Sequence, residues 1–230
     1  MSHEHSALNL PVRASWRIRE LLRSLLRVWL RPFVCRARPL EDLPLALVIP
    51  LEGIVADEVT RLQLGILRKY GRNPGLEAAP HITLKLGFNV RDSAPLEAYL
   101  AQLGREILPF EIAIKGFDFF DEGILFLDVE PSEELEKLRQ RILFDLAERW
   151  KIQAEAIEDS RFRWHVTLAY GLSNQEFAEL RKSFSSQVVE FRFDARHIDL
   201  FCYTGQQWVT LRRAALGGGA NPSPTTTHCP

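Results

Sequence analysis

From Leu43 to Ala215 the spacing of apolar residues switches between the two periods that mark helix and strand. "LALVIPLE" is a short apolar run that predicts a buried strand, and "VADEVTRLQLGILRKYG" carries helical spacing that Gly71 should stop. In "PHITLKLGF" the period drops to two, which puts Ile82, Leu84 and Leu86 on one face and His81, Thr83 and Lys85 on the other. "APLEAYLAQLGREI" predicts a second helix. "PFEIAIKGFDFF" and "GILFLDVE", parted by Asp121, Glu122 and Gly123, predict a hairpin. In "SEELEKLRQRILFDLAERW" Ser132 can cap a third helix, Glu133 and Glu134 suit its positive end, and the charges fall opposite Leu135, Leu138, Ile142, Leu146 and Trp150. "WHVTLAYGL" alternates again, with Val166, Leu168 and Tyr170 opposite His165, Thr167 and Ala169. "NQEFAELRKSF" predicts a last helix, and "VVEFRFDARHIDLFCYTGQQWVTLRRAAL" two or three strands that turn near Thr204 to Gln207. The economical architecture is α+β. Each half of the chain folds around one His-bearing strand, and two similar lobes share a cleft.

The flanks are different in kind. "ASWRIRELLRSLLRVWLRPFVCR" has near-helical apolar spacing broken by Arg19, Arg23 and Arg27, and Pro32 should end it. Residues 1–40 hold eight Arg against two Glu, so the net charge of −1 hides an arm of +6 and a remainder of −7. The arm, residues 1–42, is too charged for a signal peptide or a bilayer span. It suits packing on the domain, an anionic membrane surface or RNA phosphates. Residues 216–230, with "GGGANPSPTTTHCP", have almost nothing to bury and are expected to form a disordered tail. Residues 43–215 are left as the globular domain. Cys35, Cys202 and Cys229 are odd in number and far apart, so they suggest neither a disulfide framework nor a zinc site. The default location is a reducing cytoplasm, and no obligate protein partner is evident.

Candidate chemistry comes from a repeat: "HITLKLGF" at His81 returns as "HVTLAYGL" at His165, with His, Thr, Leu and Gly at the same offsets. On a strand, a His two residues before a Thr sets imidazole and hydroxyl on one face, about 7 Å apart along the chain. Two such pairs facing each other suit in-line displacement at phosphorus. One imidazole takes a proton from the attacking hydroxyl, the other protonates the departing oxygen, and the two hydroxyls hold non-bridging oxygens. A single His-x-Thr on a strand is usually only a solvated face; the repetition is what carries the reading. "HIDLF" provides an internal control, since His197 has an acid at the Thr position, and it is read as structural. The acidic "FDFFDEG" reads as a hairpin turn rather than a metal site, and "LGGGAN" lacks dinucleotide-loop spacing.

HITL at 81–84 and HVTL at 165–168 resemble the paired His-x-Thr signatures of the 2H phosphoesterase superfamily, which includes 2′-5′ RNA ligase-like proteins and RNA 2′,3′-cyclic phosphodiesterases. The resemblance covers about residues 43–215 and implies two pseudo-symmetric lobes, each an antiparallel sheet with outer helices, flanking a central cleft. It also implies His81 and His165 as the catalytic pair, Thr83 and Thr167 as phosphate-binding hydroxyls, and neither metal nor organic cofactor. Lys85, on the face expected for His81, is a further candidate phosphate ligand. A cation there would disfavour imidazolium, making His81 the base and His165 the acid. The implied substrate is an RNA 2′,3′-cyclic phosphate end or a small cyclic nucleotide, opened to a 2′-phosphate. The alternatives are 2′-5′ ligation, 2′-5′ phosphodiester cleavage, and a non-catalytic module that binds a nucleotide or an RNA end.

Overall fold

The computed structural model describes residues 43–121, 123–158 and 162–218. The expected arm and nearly all of the expected tail lie outside these residues. Strand β1 (Leu43–Pro50) leads into helix α1 (Gly53–Tyr70), which returns the chain to β2 (His81–Val90). Helix α2 (Ala94–Glu106), the hairpin β3 (Phe110–Phe120) and β4 (Ile124–Val129), and helix α3 (Glu133–Trp150) follow. Next come β5 (His165–Ala169), helix α4 (Asn174–Phe184), and strands β6 (Glu190–Ala195), β7 (His197–Tyr203) and β8 (Trp208–Ala215). Ser132 caps α3 as its sequence predicts, its hydroxyl accepting from Leu135 N at 3.2 Å. Gly123 closes the β3–β4 turn at φ +87°, a conformation that L side chains rarely adopt.

Two four-stranded antiparallel sheets result, ordered β2-β1-β7-β8 and β5-β4-β3-β6. The lobes are therefore not consecutive halves of the chain: β3–β6 build one sheet, while β1 and β2 are completed by the last two strands. The exchange occurs at Arg196, between β6 and β7. In both sheets the motif strand is at one edge and pairs with the strand before its helix. One apolar core joins the sheets and helices, including Leu45, Leu47, Ile49, Ile82 and Leu84 from one sheet and Leu125, Leu127, Val166 and Leu168 from the other. A much smaller cluster of Ala46, Val48 and Phe201 covers the opposite face of the first sheet.

The described fold runs slightly beyond the expected domain end. Leu216 is buried, and its N–H donates to Arg196 O at 2.8 Å. Among the described residues no helix is long and apolar enough to cross a membrane.

Candidate active site

Each motif strand presents its histidine in the same way. The His81 Nδ1 lies 2.7 Å from Ala79 O, and the His165 Nδ1 lies 2.8 Å from Arg163 O. A carbonyl can only accept, so in both neutral rings Nδ1 carries the proton and Nε2 keeps the lone pair. In both lobes Nε2 is therefore the nitrogen left able to accept a proton. Aromatic edges hold the rings from the side: Phe201 against His81 at 5.2 Å between centroids, and Phe120 and Phe126 against His165 at 5.2 and 5.3 Å.

Register fixes the threonines. Thr83 pairs with Val48 on β1, and Thr167 pairs with Phe126 on β4, so each hydroxyl shares the cleft face with its histidine. Among the described residues neither Thr hydroxyl makes a hydrogen bond. Strands β2 and β5 neighbour each other across the cleft, and the two imidazoles are close enough for each to feel the other's charge. His81, Thr83, His165 and Thr167 are thus brought together around one space.

Burial pushes the pKa of His81 below the ordinary imidazole value; the Ala79 carbonyl works against this, His165 adds to it, and Asp199 opposes it. His165 is also lowered, first by burial, with its carbonyl partner and Asp128 opposing and the Arg163 guanidinium reinforcing. Both rings therefore favour the neutral form in the empty cleft.

Lys85 is not part of this site. Thr83 pairs with Val48 but Lys85 pairs with Leu47, so Leu84 is an extra residue in β2, a β-bulge. The bulge breaks the alternation that the sequence suggested and turns Lys85 to the core face. There its ammonium, 1% exposed, meets Glu158 at 2.7 Å. The other Glu158 contacts complete the arrangement: Leu86 N at 2.7 Å, Glu155 N at 2.8 Å, and Arg139 donating to the Glu158 carbonyl at 2.7 Å. The ground for making His81 the base goes with it. The cation that stands beside an imidazole is Arg163, at His165.

Residues that sequence reasoning missed complete the cleft faces. On β7, Asp199 pairs with Val48 in the row of Thr83, and on β3 Asp118 pairs with Phe126 in the row of Thr167. Each carboxylate holds an arginine, Arg213 on Asp199 and Arg163 on Asp118. His197, set aside from the motif pair, lies 2.8 Å from Glu52, which also accepts from Arg213 at 3.2 Å. No short motif marks these residues, because strand pairing brings them together from distant segments. The two motif glycines do different things: Gly171 needs its φ of +74°, whereas Gly87 is where the tip of the Trp208 ring comes close. Among the described residues no group of three or more His, Cys, Asp or Glu could hold a metal ion.

Comparison with known proteins bears on the family and the fold. A protein of Bacillus pumilus (strain SAFR-032) named "Putative phosphoesterase" is 28% identical over 156 residues, 65% of this chain and 86% of that protein. A second protein of that name, from Geobacillus sp. (strain WCH70), is 26% identical over 149 residues, 60% of this chain and 79% of its own. The crystal structure of TT0787 of Thermus thermophilus superposes with a TM-score of 0.55 at 20% identity, covering 77% of this chain and all of that one. E. coli LigT complexed with 3′-AMP gives 0.52 at 18% identity over 76% of this chain and 99% of that one. These two structures share the fold, two antiparallel sheets with helices. Residues 52–207, more than half of the sequence, match the model of the 2′-5′ RNA ligase superfamily, and the chain belongs to that family.

Proposed function

We propose that the protein is a metal-independent phosphoesterase that opens a 2′,3′-cyclic phosphate, at an RNA end or on a nucleotide, to a 2′-phosphomonoester. The observation that carries this reading is the pair of imidazoles, each clamped through Nδ1 by a backbone carbonyl and facing a common space with its Nε2. One Nε2 takes a proton from water as the water oxygen bonds to phosphorus. The P–O3′ bond breaks in line, and the other ring, as imidazolium, gives its proton to the leaving oxygen. Since burial disfavours imidazolium in the empty cleft, the substrate's own negative charge has to help charge that ring. Thr83 and Thr167 donate to the non-bridging oxygens. The names of the relatives and the nucleotide bound to LigT support a phosphate-ester substrate.

The test is product analysis of purified protein, stripped of metal by chelation, on 2′,3′-cyclic nucleotides and on oligonucleotides ending in a 2′,3′-cyclic phosphate. A 2′-phosphate product formed at an undiminished rate after chelation is expected. A 3′-phosphate, or activity that returns only with added zinc, manganese or magnesium, overturns the reading. Stoichiometric binding without turnover would identify a binding module instead, and joining of ends a ligase.

A further inference from the structure

The same register position in each lobe carries an aspartate, Asp199 or Asp118, with an arginine laid on it; the two arginines arrive from different strands and differ in what is left of them. On the first sheet Arg213 is fully committed: Nε and Nη2 donate to the two oxygens of Asp199, each at 2.8 Å, and Nη1 donates to Glu52 at 3.2 Å. Asp199 is 1% exposed and also accepts from Thr210 at 3.1 Å. That network is closed.

On the second sheet Arg163 donates Nε to Asp128 at 3.0 Å and Nη2 to Asp118 at 2.6 Å. Among the described residues no third carboxylate accepts from Arg163 as Glu52 accepts from Arg213. Among the described residues Nη1 has no hydrogen-bond partner, and the side chain remains 39% exposed. Its guanidinium lies 4.9 Å from the centroid of Phe126. The same ring abuts His165 and occupies the register position of Thr167. Phe126, Asp118 and Asp128 all belong to the cleft face of β3 and β4, opposite in alternation to the buried Leu125 and Leu127.

We propose that Arg163 is a substrate-binding residue whose Nη1 edge donates to a non-bridging oxygen of the phosphate held between the two His-Thr pairs. The proposal rests on the phosphoesterase reading of that site. It fills the role that Lys85 cannot, because a transition state that spreads negative charge over equatorial oxygens gains from a fixed donor. The two aspartates and the aromatic face hold the guanidinium plane in advance, so less side-chain entropy is lost when substrate binds. Two carboxylates around one guanidinium also weaken its pull on an anion.

The experiment is steady-state kinetics on a 2′,3′-cyclic mononucleotide, with equilibrium binding of adenosine 2′-monophosphate measured alongside, for Arg163→Gln and Asp118→Asn. Arg163→Gln removes the charged donor and its ion pair with Asp118, whereas Asp118→Asn removes only the negative charge and keeps an oxygen that can accept from the guanidinium. Arg163→Gln should raise KM and the nucleotide Kd by about 10- to 100-fold, the worth of a charge-assisted bond. Asp118→Asn should lower both, because it removes a negative charge and leaves the guanidinium. A similar rise in both variants would show that the tie only holds the fold, and unchanged values in Arg163→Gln would equally overturn the proposal. Should Arg163→Gln fail to fold, Arg163→Lys takes its place, keeping the charge and losing the fork, with a smaller rise expected. If the wild-type chain binds the nucleotide through Arg163 but turns nothing over, the phosphoesterase reading fails while this one stands. Turnover that is indifferent to Arg163 gives the reverse.

Discussion

His81 and His165 are each held by one carbonyl and one or two aromatic rings, and in the proposed reaction each makes one proton transfer. Replacing either with Ala should therefore cut kcat by at least ~10²-fold while the melting transition survives. His197→Ala, which loosens only the Glu52 contact, should leave kcat near wild type. The lowered pKa values also have a thermodynamic sign. A ring whose folded pKa lies below the ordinary 6.5 contributes stability above that value and loses it as pH falls through the folded pKa. Urea denaturation at pH 7 and pH 5 should thus show a smaller acid loss in His81→Gln than in wild type; an equal loss would mean that the ring is not held neutral. At this scale the sequence was informative about residues inside the repeat and silent about the rest. His-x-Thr is local and shows itself by repetition, while Arg163, Asp118 and Asp199 acquire their surroundings only through strand pairing.

The helices and strands follow their apolar periods closely, because most of them bury a single face. Among several register shifts, the one in β2 matters most here, because an extra Leu84 moves Lys85 from the cleft to the core. No turn residue announces that bulge, and a lysine on an alternating strand reads as polar-out by default. Its partner, Glu158, lies in the segment before the second motif, so the ion pair joins one motif strand to the approach of the other. Removing one partner of such a buried pair leaves an uncompensated charge. Lys85→Met should cost about 3–5 kcal/mol in urea denaturation. Lys85→Met combined with Glu158→Gln should cost less than the single change. A loss under about 1 kcal/mol in the single variant would show that Glu158 finds water or another donor.

Across the whole molecule, two lobes around a shared cleft were legible from the repeat, but the division of strands between them was not. Reading each half of the chain as one lobe fails because β7 and β8 return to pair beside β1, a long-range choice that local periodicity does not encode. The family match begins at residue 52, and the described residues all belong to one compact unit that excludes residues 1–38. That unit, freed of residues 1–38, should turn over a cyclic mononucleotide at the rate of the full chain, measured at equal protein concentration. Weaker and less salt-dependent binding of long oligonucleotides by the shortened chain would assign the basic arm to RNA, and lost sedimentation with anionic vesicles would assign it to membranes. The carbonyl clamp on each histidine bears on how the lobes came to differ. Ala79 and Arg163 perform the same orienting service with their backbones, so the side chain two residues before each histidine is released from that duty. A side-chain change at that position leaves the clamp on the imidazole intact, and in the second lobe the position carries a guanidinium 4.9 Å from the Phe126 ring that abuts His165.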